Sequence, residues 1–211
     1  MKPASEEAVG FYSLCDQERL LLKEKRSSWE KRYEKKGGND FDWYLPEPPE
    51  MLINLLKSGR VPDGPAVDLG CGPGVITSFL FEYGFRPAVG MDIALSAINQ
   101  ARQFCLKKGT QPSFAVAAAP LLPFADGRCA FLFDRGGLHA LPESMWQLYL
   151  CEVARMLRPD GVFQLWAKLL PLSRLEEILP DTLQILSLEQ FPFGLKSRRV
   201  LDITHGIFKR I

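Results

Sequence analysis

The sequence predicts an α/β protein: a seven-stranded, mostly parallel sheet with helices on both faces and an antiparallel last strand. Three observations carry this prediction. Strand-like and helix-like segments alternate from residue 66 to about residue 168, the pattern of consecutive βα units. The run Val67-Asp68-Leu69-Gly70-Cys71-Gly72-Pro73-Gly74 passes from an apolar strand through a glycine turn into a helix-forming stretch. The last two strand-like runs have little chain between them, so they form a hairpin and point in opposite directions.

Taken in order, residues 5–36 read as helical, with an apolar patch at Leu20-Leu21-Leu22. Seven basic and three acidic residues follow between Lys23 and Lys36, the usual composition of a solvated helix face. Gly37-Gly38-Asn39-Asp40 stops that helix, and Phe41–Pro49, rich in aromatics and proline, reads as an irregular crossing segment. A helix at 51–57 leads through Ser58–Pro65 into the first strand at 66–69. Helices are then expected at 74–83, 94–108 and 142–157, and strands at 87–92, 113–117, 129–134 and 161–168. Pro159-Asp160-Gly161 reads as a tight turn between the fifth helix and the fifth strand. A short helix near 173–179 precedes strands at about 183–189 and 199–209.

With 211 residues the chain suits one domain with a single sizeable core. Hydrophobic residues at 46% and charged residues at 24% are ordinary for a soluble globular protein. A net charge of +1 makes no global case for nucleic acid, a membrane surface or acidic ligands. The first residues lack the apolar core of a signal peptide, and no apolar run is long enough to span a bilayer. Five scattered cysteines predict neither a disulfide framework nor a zinc site, but reduced thiols in the cytoplasm. Cys71 lies inside the glycine turn, where the simplest reading is a small residue that fits.

The glycine spacing separates two kinds of nucleotide site. A dinucleotide fingerprint needs a third glycine where this chain has Val75. The turn here is Gly-x-Gly-x-Gly, with Asp68 two residues before the first glycine and Asp92 closing the next apolar run. On these residues the chain resembles motif I of the class I S-adenosylmethionine-dependent methyltransferases, which implies a Rossmann-like fold and S-adenosylmethionine as cofactor. The resemblance implies that Asp68 organises the turn and that Gly70, Cys71, Gly72 and Gly74 face the methionine moiety. Asp92 would take the ribose hydroxyls and Ile93 would pack on adenine. Pro73 suits a first helical position. Class I enzymes often carry an acid after the third strand, but here the stretch is Val116-Ala117-Ala118-Ala119, so adenine recognition falls to the backbone near Ala117 and Ala118. Leu122-Pro123-Phe124-Ala125-Asp126-Gly127 matches the family's approach to the fourth strand.

The fourth strand ends in Asp134-Arg135-Gly136, where enzymes that methylate nucleobase amines have Asn-Pro-Pro-Tyr. With Tyr149 one helix later, this is similar to the thiopurine and tellurite-resistance methyltransferase branch. Trp29-Glu30-x-x-Tyr33, followed by Trp43 and Pro46, resembles the lid helix and tryptophan-bearing loop of that branch. The resemblance divides the chain into a helical lid segment, 1–50, and a methyltransferase domain, 51–211. It places Trp29, Tyr33 and Asp134 with the cofactor-binding set, although Trp29 and Tyr33 at i and i+4 read equally as a helix packed on the sheet. His139, Arg135 and Tyr149 are the candidate catalytic residues. His139 has two readings, a general base on the acceptor or a shaper of its loop. Arg135 either pairs with Asp134 or orients an anionic acceptor. His205 reads as structural. The expected acceptor is a small-molecule nucleophile whose sulfur, oxygen or similar atom attacks the cofactor's methyl group in line, and the chain is expected to be a monomer or weak homodimer without nucleic acid, membrane or metal. Methylation of protein or RNA, and a non-catalytic cofactor-binding subunit, are the alternatives.

Overall fold

A computed structural model describes residues 14–211. Within it, helix α1 (Asp16–Lys35) precedes α2 (Glu50–Lys57), and the alternating part then runs β1 (Ala66–Leu69), α3 (Val75–Tyr83), β2 (Ala88–Asp92), α4 (Leu95–Lys108) and β3 (Ser113–Val116). It continues through β4 (Cys129–Arg135), α5 (Trp146–Met156), β5 (Leu157–Lys168) and α6 (Leu172–Ile178) to the hairpin β6 (Leu183–Gly194) and β7 (Val200–Arg210). The seven strands lie in the order β3-β2-β1-β4-β5-β7-β6. β1 to β5 are parallel to one another, and β7 is antiparallel to both β5 and β6. The predicted fold class is the observed one, with β7 inserted between β5 and its own hairpin partner.

The sheet is apolar on both faces because strands in a parallel sheet are covered on both sides. Side chains alternate between two cores. Val67, Leu69, Leu132, Phe163 and Leu165 meet Tyr149, Leu150 and Val153 of α5 on one face. Ala66, Phe131, Phe133 and Val162 meet Leu52 and Leu55 of α2 and Leu80 of α3 on the other. Consecutive residues at the end of β4 therefore face opposite ways: Asp134 towards α5, Arg135 towards α3 and α1.

Several boundaries depart from expectation. The first helix is described from Asp16, and residues 5–13 of the expected helix lie outside the described residues. Of the leucine patch, Leu22 is buried and Leu20 is exposed. Gly74 is in the left-handed region at φ 83° and caps α3, so Pro73 lies outside the helix rather than at its first position. Pro159-Asp160-Gly161 is not a turn ahead of the strand but part of β5. The pairing with β4 shifts between Cys129 and Phe131, and Asp160 takes φ 67°, so a bulge absorbs the bend. β6 runs five residues past its expected end because β7 offers it pairing partners as far as Gly194.

Candidate functional site

The site forms at the carboxyl ends of β1, β2 and β4, the edge where open α/β sheets place ligands. Gly70, Gly72 and Gly74 have φ of 72°, 51° and 83°, a sequence of left-handed positions that only glycine adopts freely. The turn is pinned from two sides. The Cys71 N–H donates to the Met91 carbonyl at 2.8 Å, and the Gly72 N–H donates to the Asp92 carboxylate at 3.0 Å. The second Asp92 oxygen accepts the Ala94 N–H at 2.9 Å. Asp68, beneath the turn, accepts the Thr77 hydroxyl of α3 at 2.7 Å. Ile93, Ala117 and Ala118 lie half-buried beside Asp92, whose carbonyl accepts the Ala117 N–H at 3.0 Å.

Three buried carboxyls surround this edge. Burial pushes Asp68 up to about 7, opposed mainly by the Thr77 hydroxyl. Burial likewise pushes Asp92 up to about 6 against its backbone hydrogen bonds, and Asp134 up to about 6 against the Tyr149 hydroxyl. Arg135 is the cation among them, and burial lowers it from its ordinary value while Asp68 raises it. The Cys71 thiol is also pushed well up by burial, which makes it inert.

The segment from α1 to Trp43, the expected lid, packs over the turn. The Tyr33 hydroxyl oxygen lies 2.8 Å from where a Cβ on Gly72 would stand, so the bare glycine is what admits it. Tyr33 packs edge-on to Phe41 at 4.9 Å, and Phe41 stacks on Trp43 at 4.8 Å. Trp29 completes the cluster, 6.0 Å from Trp43. Trp29 and Tyr33 pack α1 against Phe41, Trp43 and the start of α4, and Tyr33 faces the turn. A narrow cleft is lined by Tyr33, Trp43, Gly70, Gly72 and Arg135.

Three sets of polar contacts hold the lid down. The Glu30 carboxylate accepts the Leu95 and Ser96 N–H groups at 2.7 and 3.0 Å, capping the open start of α4 from another helix. Burial alone would raise Glu30, but its hydrogen bonds from Ser96 and Leu95 outweigh that and lower it. Gln100 donates to the Tyr33 carbonyl at 2.7 Å and accepts the Gly38 N–H at 2.7 Å. Asp42 accepts the Ser197 N–H and hydroxyl at 2.6 and 2.7 Å, tying the lid loop to the β6–β7 turn. Arg135 adds a fourth tie, donating to the Trp43 carbonyl at 3.0 Å.

That bond corrects one reading of Arg135. It does not pair with Asp134, because adjacent strand residues face opposite sides of the sheet. Asp134, fully buried, instead accepts the Gly137 and Leu138 N–H groups at 2.5 and 2.8 Å and the Tyr149 hydroxyl at 2.6 Å. It shapes the loop whose Gly137 backbone lies against Gly70. Tyr149, 1% exposed, supports that loop from below and does not reach the cleft. His139 accepts the Lys168 N–H through Nδ1 at 3.2 Å, and burial, with Lys168 and Arg135 nearby, lowers it to about 4. Its loop-shaping reading has a contact to show. His205 lies buried in the hairpin between Gln164 and Glu189, away from the glycine turn.

Glu30, Gln100, Asp42 and Thr77 went unassigned in the sequence. Glu30 sits inside the Trp29-Glu30-x-x-Tyr33 motif, but its partners are about 65 residues away in the chain. Only Thr77, one helical turn beyond the glycines, carried a local signal.

Residues 66–161 match the methyltransferase domain family. The human eEF1A lysine and N-terminal methyltransferase is 27% identical over 146 residues, which is 69% of this chain and 21% of that protein. The chain therefore spans about a fifth of the length of that relative. The probable thiol methyltransferase 2 of Arabidopsis thaliana is 22% identical over 190 residues, 87% of this chain and 80% of that protein. Among solved structures, a SAM-dependent methyltransferase from Anabaena variabilis superposes with a TM-score of 0.67 at 16% identity, covering 88% of this chain and 95% of that one, which shows the shared fold.

Proposed function

We propose that the chain, whose residues 66–161 match the methyltransferase domain family, is a class I S-adenosylmethionine-dependent enzyme that methylates a small-molecule nucleophile, sulfur in preference to oxygen, by in-line displacement. We place it with the thiopurine and tellurite-resistance branch on the Asp134-Arg135-Gly136 ending of β4 and the lid residues Trp29, Tyr33 and Trp43. In this reading residues 1–50 are the lid, 51–211 the catalytic domain, and the compartment is the cytoplasm, where five free cysteines stay reduced.

The residues present fit the cofactor. S-adenosylmethionine supplies, when bound, a cationic sulfonium with an activated methyl group. The side-chain-free turn at Gly70, Gly72 and Gly74 leaves room for its methionine end, and Asp92 can accept from its ribose. Ile93, Ala117 and Ala118 line the position for adenine. Asp68 and Asp92, raised to about 7 and 6 by burial, would be drawn back towards their charged forms by a bound sulfonium. The aromatic lid excludes water, and holding the acceptor on axis supplies about 7–11 kcal/mol in well-aligned systems.

One observation carries the choice of nucleophile: neither of the two candidate bases, His139 and Tyr149, is free to take a proton from an acceptor. His139 is lowered to about 4 and its Nδ1 is already used. Tyr149 is buried on Asp134. A thiol, with an ordinary pKa near ~8.5, reaches its anion without help, and the plant thiol methyltransferase resembles this chain over most of both lengths. A protein acceptor is the second reading, drawn from the eEF1A methyltransferase.

Calorimetry with S-adenosylhomocysteine, followed by a panel of thiol, phenol and amine acceptors, tests the proposal. Tight one-to-one binding and methylation of thiols ahead of the others are expected. Absence of binding would remove the enzyme reading, and activity confined to amines would remove the preference for sulfur.

A further inference from the structure

A second cleft, of about 600 Å3, opens on the outer side of the lid. Lys31, Arg32 and Lys35 of α1 border it, with Lys36 just past the helix end and Lys196 from the β6–β7 turn, over a floor of Phe41 and Trp43. Lys31 and Lys35, four residues apart, share one helix face, and Lys36 follows in extended backbone. Among the described residues none of the five takes part in an ion pair. Two acids also border the cleft, and both are committed: Asp40 accepts the Gly37 N–H at 3.0 Å, and Asp42 holds Ser197. The chain as a whole carries only +1, so this is a local concentration of charge.

Two of the cations are already ordered. The Arg32 guanidinium lies 4.5 Å from the Trp29 ring centroid and 5.3 Å from that of Trp43. Lys196 donates to the Asn39 carbonyl at 2.5 Å and sits 4.8 Å from the Tyr44 ring centroid. Ordering before binding lowers the entropy lost on binding. Neither contact neutralises the charge. Trp43 also lines the narrow cleft that reaches Gly70, Gly72 and Arg135, so the two clefts share a wall.

We propose that the outer cleft is the subsite for a multivalent anionic part of the methyl acceptor, a carboxylate-rich or phosphate-bearing tail whose nucleophilic end enters beneath Trp43. The proposal rests on the small-molecule methyltransferase reading and names its substrate class: a polyanion. Single-stranded nucleic acid fits less well, because stacking needs open aromatic faces. Here Phe41 and Trp43 stack on each other, and Arg32 packs over Trp29 and Trp43.

The test uses the whole chain with citrate and tripolyphosphate as probes, titrated in the presence of S-adenosylhomocysteine at low salt. The comparison is with the triple variant Lys31→Ala, Lys35→Ala, Lys36→Ala, which removes exposed side chains that make no hydrogen bond among the described residues. One equivalent of probe should bind the unaltered protein, and the triple variant should weaken it by about tenfold or more. Preference for citrate marks a carboxylate tail, and preference for tripolyphosphate a phosphate. With acceptors found in the panel, the variant should raise KM for anionic ones alone and leave kcat unchanged. No probe binding, equal binding by the variant, or equal KM changes for neutral acceptors would overturn the subsite. S-adenosylhomocysteine binding that persists in those cases keeps the methyltransferase reading intact, and its absence would bring down that reading instead.

Discussion

Replacing Asp92 with asparagine separates the two jobs assigned to its carboxylate. In the structure the two oxygens accept the Gly72 N–H at 3.0 Å and the Ala94 N–H at 2.9 Å. Asparagine keeps the shape but has one oxygen, so one of these N–H groups must face an NH2. A buried donor left without an acceptor costs about 1–3 kcal/mol. For a chain of this length that lowers Tm by roughly 2–4 °C per kcal/mol. The bound ribose would also lose a charge-assisted hydrogen bond, worth about 1.5–3 kcal/mol, which weakens S-adenosylhomocysteine binding by roughly ten- to a hundredfold. Because burial has pushed Asp92 up to about 6, its carboxylate in the unaltered protein gains a proton as the pH falls through that value. Affinity should therefore fall below pH 6, and Asp92→Asn should show a shallower dependence. Calorimetry from pH 5 to 8 on both proteins, with thermal melts alongside, measures each term. Binding of the variant within twofold of the unaltered protein at pH 7.5 would refute a ribose role for Asp92, as would identical pH profiles.

Glu30→Ala removes the cap that the lid gives to α4, so stability should drop by about 1–2 kcal/mol and proteolysis around residues 37–43 should speed up. Unchanged cleavage would show that the lid is held without it. Gly74→Ala puts a Cβ 2.8 Å from the Ala101 Cβ and 3.1 Å from its Cα at φ 83°, whereas Gly84→Ala at φ 118° meets nothing. Chemical denaturation should find both destabilised by about 1–3 kcal/mol from backbone strain, with the larger loss at Gly74; equal losses would mean that the turn yields easily. Asp68, Asp92 and Asp134 all rise above the ordinary 3.8, to about 7, 6 and 6, so the fold favours their protonated forms. Their contribution to stability is complete below about pH 4 and is lost as the pH climbs to about 7. The Tm of ligand-free protein should fall between pH 5 and 7.5, and S-adenosylmethionine should recover more of it at the upper end. A flat profile would show that these carboxyls are better solvated than their burial implies.

The turn was legible because its chemistry is local. A glycine at φ 51°, 72° or 83° announces itself in sequence, and an acid at the end of the next strand announces its neighbour. Strand count and hairpin direction followed from alternation and from the short link between β6 and β7. The Pro159-Asp160-Gly161 reading failed for a tertiary reason: the same residues make a turn or a bulge according to whether the neighbouring strand supplies a partner, and Cys129 pairs with Leu157. The contacts that hold the lid were out of reach because Glu30 and Leu95, Asp42 and Ser197, and Trp43 and Arg135 are between about 65 and 155 residues apart in sequence.

By itself the sequence determined what a short stretch of backbone could do: bend without side chains, start a helix, and offer a carboxylate one strand away. Only the folded chain decided where the flanking groups point. Strand alternation sent Asp134 under its own loop with Tyr149 and turned Arg135 towards the lid, although the two are neighbours in sequence. Packing lowered His139 and raised three carboxyls, because the energy of a charge depends on the medium around it rather than on residue type.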